Sequence, residues 1–261
     1  MCVTVVEPRL QFGRRLVSVV AVLVVALAGA LQAFAADKTD KSKTSAQTID
    51  AGSFGVFVKG QRVLTETFTI HQANGTSTIH SRVKEAGATN PPTDQKSVLE
   101  IAENGGLLSY EWSQLGGGSL SVLPKNEFLI EKITATAASK PAEQPFLMPN
   151  TSAILDNNFF VQREVLAWRY LATAPCRGES DKRQCEPQEF GALVPQDRTS
   201  VRVKMALVGR EKVNIRGAER ELLRLNLTGD GFDWALWLDE HDQFKLMRIA
   251  IPADNTEVVR D

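Results

Sequence analysis

The sequence predicts a mainly β (α+β) protein, in which a large curved antiparallel sheet or half-open barrel wraps around one central helix. Three observations predict it. Apolar residues alternate with polar ones over short stretches, as in Phe54, Val56 and Val58 or Val201, Val203, Met205 and Leu207. Strong turn signals separate these stretches, Asn74-Gly75 and Asp230-Gly231 above all, because Asn-Gly and Asp-Gly tolerate the positive φ that tight hairpins demand. A single segment, Phe159 to Ala172, breaks the alternation and runs without Gly or Pro.

The elements follow in order. Ser53–Glu85 reads as a three-stranded meander, turned at Lys59-Gly60 and at Asn74-Gly75. After Asn90-Pro91-Pro92, strands are expected at Val98–Ala102, around Tyr110 and Trp112, at Leu120–Val122 and at Phe128–Ile133, with Thr134–Pro149 a proline-rich loop. Asp156-Asn157-Asn158 can cap a helix through side-chain oxygens, which sets the helix at about 156–172. At 100° per residue, Val161, Val165, Trp168 and Ala172 share one side, and Phe159, Leu166 and Tyr170 another. A helix with two apolar faces is covered from more than one side. Strands resume at Val201–Leu207, Leu223–Leu227, Trp234–Leu238, Phe244–Ile251 and Thr256–Arg260; the inward set switches after Leu246, which suggests a bulge. With about a dozen strands, the sheet must curl or split, and the helix then fills its concave side.

The N-terminus has a different grammar. Arg9, Arg14 and Arg15 precede the apolar run Leu16–Ala30, and Ala33-Phe34-Ala35 offers small residues at a cleavage site, so residues 1–35 read as a secretory signal peptide. That run is about 15 residues, short of the roughly 20 that cross a bilayer. No Cys follows it to carry a lipid, and no later run reaches spanning length, so no stable membrane span is expected after cleavage. Residues 36–50, rich in Ser, Thr and charge, are expected to be a disordered leader, and 51–261 a single β domain. The localisation expected is periplasmic or secreted. The signal segment carries three Arg and one Glu, so its removal takes the formal net charge from −1 to −3. Such a balance gives no basic footprint for nucleic acid.

Cys2 lies in the signal segment; Cys176 and Cys185 remain. In an oxidising compartment an even pair across a polar loop forms a disulfide. Redox motifs space their cysteines more closely. His71, His80 and His241 lack ligand spacing, although His71 and His80 flank one hairpin, so neither a metal nor another cofactor is expected.

Catalytic signals are sparse. There is no Gly-x-Ser-x-Gly elbow, and Gly116-Gly117-Gly118 lacks the Lys-Ser/Thr and the helix of a phosphate loop. Asn74, Asn150 and Asn226 head acceptor sequons, which matter only in a eukaryotic secretory pathway. Glu66 shares the apolar face of Leu64, Phe68 and Ile70, where burial would raise its pKa and a helix arginine, Arg163 or Arg169, would pair it. No second catalytic group can be named beside it. Tyr110, Trp112 and Trp237, with Glu66, are the candidates for lining a groove that takes a lipid or a hydrophobic peptide.

The stretches Gly55-Val-Phe-Val-Lys-Gly60 leading into Glu66, Ile154-Leu-Asp-Asn-Asn-Phe159, Leu236-Trp-Leu-Asp239, Leu246-Met-Arg-Ile249 and Glu257-Val-Val-Arg260 resemble a bacterial exported family of uncharacterised function. The shape this implies is similar to that of periplasmic lipoprotein carriers, whose half-open barrel holds acyl chains; no catalytic residue carries over. The expectation is an exported, non-catalytic protein binding an apolar ligand or a partner segment. The alternatives are an envelope-assembly protein with a plugged core and, less favoured, a hydrolase using Glu66.

Overall fold

A computed structural model describes residues 46–261 apart from 88–92, 137 and 179–182. The signal segment, the first part of the leader and the Asn90-Pro91-Pro92 break lie outside the described residues. The strands are β1 (Gln47–Val58), β2 (Gln61–Ala73), β3 (Thr76–Glu85), β4 (Asp94–Ala102), β5 (Leu107–Gln114), β6 (Ser119–Lys125), β7 (Phe128–Thr134), β8 (Ala142–Leu147) and β9 (Ala153–Ile154). Helix α1 (Val161–Thr173) follows, then β10 (Cys176–Arg177), β11 (Gln184–Cys185), β12 (Gln188–Val194), β13 (Thr199–Ile215), β14 (Ala218–Gly229), β15 (Phe232–Asp239), β16 (Lys245–Ile251) and β17 (Thr256–Arg260).

Fifteen strands form one open sheet in the order β8-β7-β6-β5-β4-β3-β2-β1-β17-β16-β15-β14-β13-β12-β9. It consists of two antiparallel meanders joined at a seam where the first strand pairs with the last, Phe54 opposite Arg260. Only β9 runs parallel to its neighbour β12. The two edges, β8 and β9, are not paired with each other, yet only Met148 to Ser152 separates them in the chain. Fifteen strands laid flat span roughly 65 Å at about 4.8 Å per neighbour, whereas five residues reach about 20 Å. The sheet must therefore curl until its edges approach.

Turn chemistry explains the hairpins. Asn74 and Gly75 have φ of 52° and 74°, and Lys59 and Gly60 have 51° and 79°. Two consecutive positive φ values match the right-handed twist of the strands they join. The bulge expected near Leu246 falls at Met247: Trp237 pairs Arg248 while Leu238 pairs Leu246.

Four readings need adjustment. The segment 134–149 contains β8, because Pro145 sits on an edge strand, where a missing amide donor costs no ladder bond. Residues 188–194 form a strand whose apolar residues are broken by Gly191 and do not alternate cleanly. Strand β1 begins at Gln47, inside the polar leader, and α1 begins at Val161, later than 156.

The inward side chains make one continuous core, with Phe54, Phe68, Ile79, Tyr110, Val122, Leu129, Met205, Leu225, Leu236 and Ile249 all essentially inaccessible. The first turn of α1 is buried on every side, charged Arg163 and Glu164 included. Its hydrogen bonds reach both meanders: Glu66 on β2 accepts from Phe160 and Val161 at its start, and Leu246 on β16 donates to Glu164. Tyr170 accepts from the Leu207 amide of β13, and Trp168 donates to Phe244.

The cysteines form the expected disulfide, Cys176–Cys185, closing the β10–β11 ribbon. A link across a sequence separation of 9 stabilises by about 2–3 kcal/mol in the chain-entropy model. Replacing both cysteines with serine is expected to lower stability by that amount, measured as a shift in the urea midpoint. An unchanged midpoint would show that the ribbon is held by other contacts.

Candidate functional site

The site is built where α1 begins. Asp156 does not cap the helix. Its Oδ1 accepts from the Asn158 amide in a local turn, and its own amide donates to Gln162 Oε1. The Tyr110 hydroxyl and the Gln196 amide both donate to its Oδ2. The cap comes from another strand. Glu66 Oε2 lies 2.7 Å from the Phe160 nitrogen and 3.3 Å from that of Val161, and Ser81 donates to Oε1 at 2.6 Å. A carboxylate at a helix N-terminus meets unpaired amides and the positive end of the helix dipole.

Burial nevertheless dominates its titration. It pushes the Glu66 carboxyl up to about 7, against the downward pull of Ser81, the two amides and the nearby Arg163 charge. Burial also drags Arg163 down to about 10. This guanidinium donates to the Asp156 and Phe159 carbonyls and sits over Trp234, 5.1 Å from the ring centroid. Arg163 is thus Glu66's electrostatic neighbour, with no ion pair between them among the described residues.

A second buried cluster lies at the seam. Arg260 Nη2 donates to both Asp50 oxygens at 2.6 Å, and its Nη1 lies 3.4 Å from Glu164 Oε1. Burial pushes Glu164 up to about 8, with Arg260 opposing and Asp50 reinforcing the rise. Lys245 lies 3.9 Å from Asp50 on the other side of this cluster. Glu131 on β7 is likewise inaccessible, with neither carboxyl oxygen hydrogen-bonded among the described residues. Burial pushes it up to about 7, Arg198 opposing.

Beside α1 the core leaves space. A cavity of about 330 Å³ lies between the helix, the β4–β5 turn and β9. Its apolar walls are Leu99, Ile101, Leu107, Ile154, Leu166 and Trp168. Polar residues also line it, among them Gln72, Ser77, buried Gln162, buried Ser152 and half-buried Arg169. Pockets of this size and lining hold small apolar ligands.

The residues singled out from the sequence are dispersed. Glu66 and Tyr110 are both 0% exposed and face the core rather than this cavity. Trp112 packs against the same core, donates to Gln95 and borders separate shallow clefts. Trp237 lies in a small second cluster with Val213, Ile215 and Leu222, held between the Arg224 and Arg248 guanidiniums. The four do not form one groove. His71 and His80 stack edge to face at 6.4 Å, and no group of three metal-ligating side chains converges among the described residues. Sequence reasoning missed Ser152, Gln162 and the cavity role of Arg169. Ser152 left no signal; the helix left one, with Arg169 two turns beyond Gln162 on one face.

The fold and this site define an open-sheet β protein with a buried helix and a lateral apolar cavity. No protein-family model matches the chain, and no curated protein does. Among solved structures, a crystal structure of a beta-barrel-like protein of a domain of unknown function (DUF1849) from Brucella abortus is similar at 7% identity. The alignment covers 81% of this chain and 94% of that one, with a TM-score of 0.47.

Proposed function

We propose that this is an exported, non-catalytic binding protein whose sheet wraps α1 and holds an apolar ligand, a lipid or acyl chain, in the space left beside the helix. The cavity of about 330 Å³ bounded by Leu99, Leu107, Ile154, Leu166 and Trp168 carries this reading. Export rests on the signal-like leader, and the Cys176–Cys185 bond is in keeping with an oxidising compartment. Periplasmic residence and a working likeness to lipoprotein carriers belong to the same proposal. Native mass spectrometry of protein purified without detergent, followed by solvent extraction, tests it. A bound acyl species, or saturable uptake of an added one, is expected; protein that is empty and takes up none would overturn the reading.

The second reading, an envelope-assembly protein acting through its surface, is favoured by one observation. Leu123, Phe128 and Leu147 are exposed on neighbouring strands at the β8 edge, with Phe128 opposite Leu147. Recovery of a specific envelope partner, lost on replacing Phe128 and Leu147 with serine, would favour it. A hydrolytic role for Glu66 gains no support, since its carboxyl group is fully buried and committed to two amides and a hydroxyl.

A further inference from the structure

Arg169 is the one cation in the cavity wall, and it is only half paired. Its Nη1 donates to the Thr151 carbonyl, and its guanidinium lies over Phe190 at 5.2 Å. Among the described residues it makes no ion pair. The buried flank of the side chain faces apolar atoms, and burial draws its pKa down. The half-exposed guanidinium keeps donors that no described carboxylate takes up, and its planar fork suits an anion such as a carboxylate.

A second polar group stands at the same end. Ser152 follows the residue whose carbonyl holds Arg169, it is 4% exposed, and its Oγ has no hydrogen-bond partner among the described residues. Gly191 lies against this hydroxyl: a Cβ there would sit 3.4 Å from Ser152 Oγ. The lining's only carboxylate, Glu103, is exposed and turned toward the β2–β3 hairpin, where its Oε2 lies 3.4 Å from the Cβ position of Gly75. Arg169 and Ser152 thus stand where this cavity meets the neighbouring cleft lined by Phe190 and Gly191, beside the apolar wall of Leu107, Leu166 and Trp168.

Depth and volume constrain what fits. Gln162, at the buried end, precedes Arg169 by seven residues, or about 10 Å along the axis. A volume of about 330 Å³ lies at the small end of ligand pockets. It suits one chain of medium length better than two.

We propose that the cavity binds a single-chain acyl carboxylate, its head group held by the Arg169 guanidinium and the Ser152 hydroxyl and its tail against Leu107, Leu166 and Trp168. The assignment rests on the apolar-ligand reading above and adds to it the charge and orientation of the ligand. A planar guanidinium matches a carboxylate in two parallel hydrogen bonds, which an alcohol cannot reproduce.

Displacement of the neutral fluorescent probe N-phenyl-1-naphthylamine from the purified protein distinguishes the two levels. Decanoate is expected to displace the probe at concentrations at least tenfold below decanol. Arg169→Gln should abolish that gap, each displacement being referred to the variant's own affinity for the probe, and Ser152→Ala should narrow it. Equal displacement by decanoate and decanol, or tighter displacement by a lysophospholipid than by decanoate, would overturn the carboxylate assignment and leave the apolar cavity standing. Failure of the protein to bind the probe or either ten-carbon ligand would overturn both. Should Arg169→Gln fail to fold, the wild-type gap and its narrowing in Ser152→Ala decide.

Discussion

Replacing Arg260 with alanine is expected to destabilise the domain by about 3–5 kcal/mol, the cost of removing one partner from a buried ion pair. The reason lies in what Arg260 holds. It is 8% exposed, and it bonds Asp50 on β1, approaches Glu164 on α1 and lies over the rings of Phe54 and Phe68. Gly52 leaves it room, since a Cβ there would come within 3.1 Å of its Nη2. Its strand, β17, joins the two meanders to each other. Without the guanidinium, Asp50 stays buried with Lys245 at 3.9 Å as its nearest cation. Urea denaturation followed by circular dichroism measures the loss. A change below about 1 kcal/mol would place Arg260 among surface pairs, whose worth is small. Asp50→Asn should cost less, because it removes a charge and keeps the shape.

How far the sequence carried can be judged at particular residues. The Asn74-Gly75 and Asp230-Gly231 turns, the bulge at Met247, the disulfide and one helix in a largely antiparallel sheet all depend on local chemistry, and each is legible in a few adjacent residues. Strand β8 was hidden by Pro145 and the prolines that flank it, since only the neighbouring strands reveal that it is an edge. The burial of Glu66 was legible from its apolar face. Its partners were not: the helix amides it caps lie 94 and 95 residues away, and Arg260 meets Asp50 across 210. No periodicity records such pairings. The cavity was hidden for the same reason, because its walls come from β4, β5, β9 and α1, and only folding brings them together.

The domain is expected to be more stable at pH 5 than at pH 8, and Glu66 shows why. Its carboxyl group is held near 7 in the folded protein, against 4.5 as its ordinary value, with burial outweighing the donors that surround it. Between those two values the folded state binds the proton and the unfolded chain does not. A folded pKa raised in this way adds stability that is complete below about 4.5 and is lost as pH rises through about 7. Glu131 acts in the same direction, and Glu164, held near 8, extends the loss upward. A tenfold change in proton affinity on folding is worth about 1.4 kcal/mol, so a difference of at least about 2 kcal/mol between pH 5 and pH 8 is expected in urea titrations. Glu66→Gln separates titration from capping. It keeps an acceptor for the Phe160 and Val161 amides and should remove Glu66's share of the pH 5 to 8 difference, leaving that of Glu131 and Glu164, at a modest cost in stability. Glu66→Ala leaves those amides and the Ser81 hydroxyl buried without an acceptor and should cost about 2–4 kcal/mol at pH 8, and more at pH 5. A wild-type profile that is flat from pH 5 to 8 would mean that Glu66 stays ionised, with the α1 amides and Arg163 outweighing its burial.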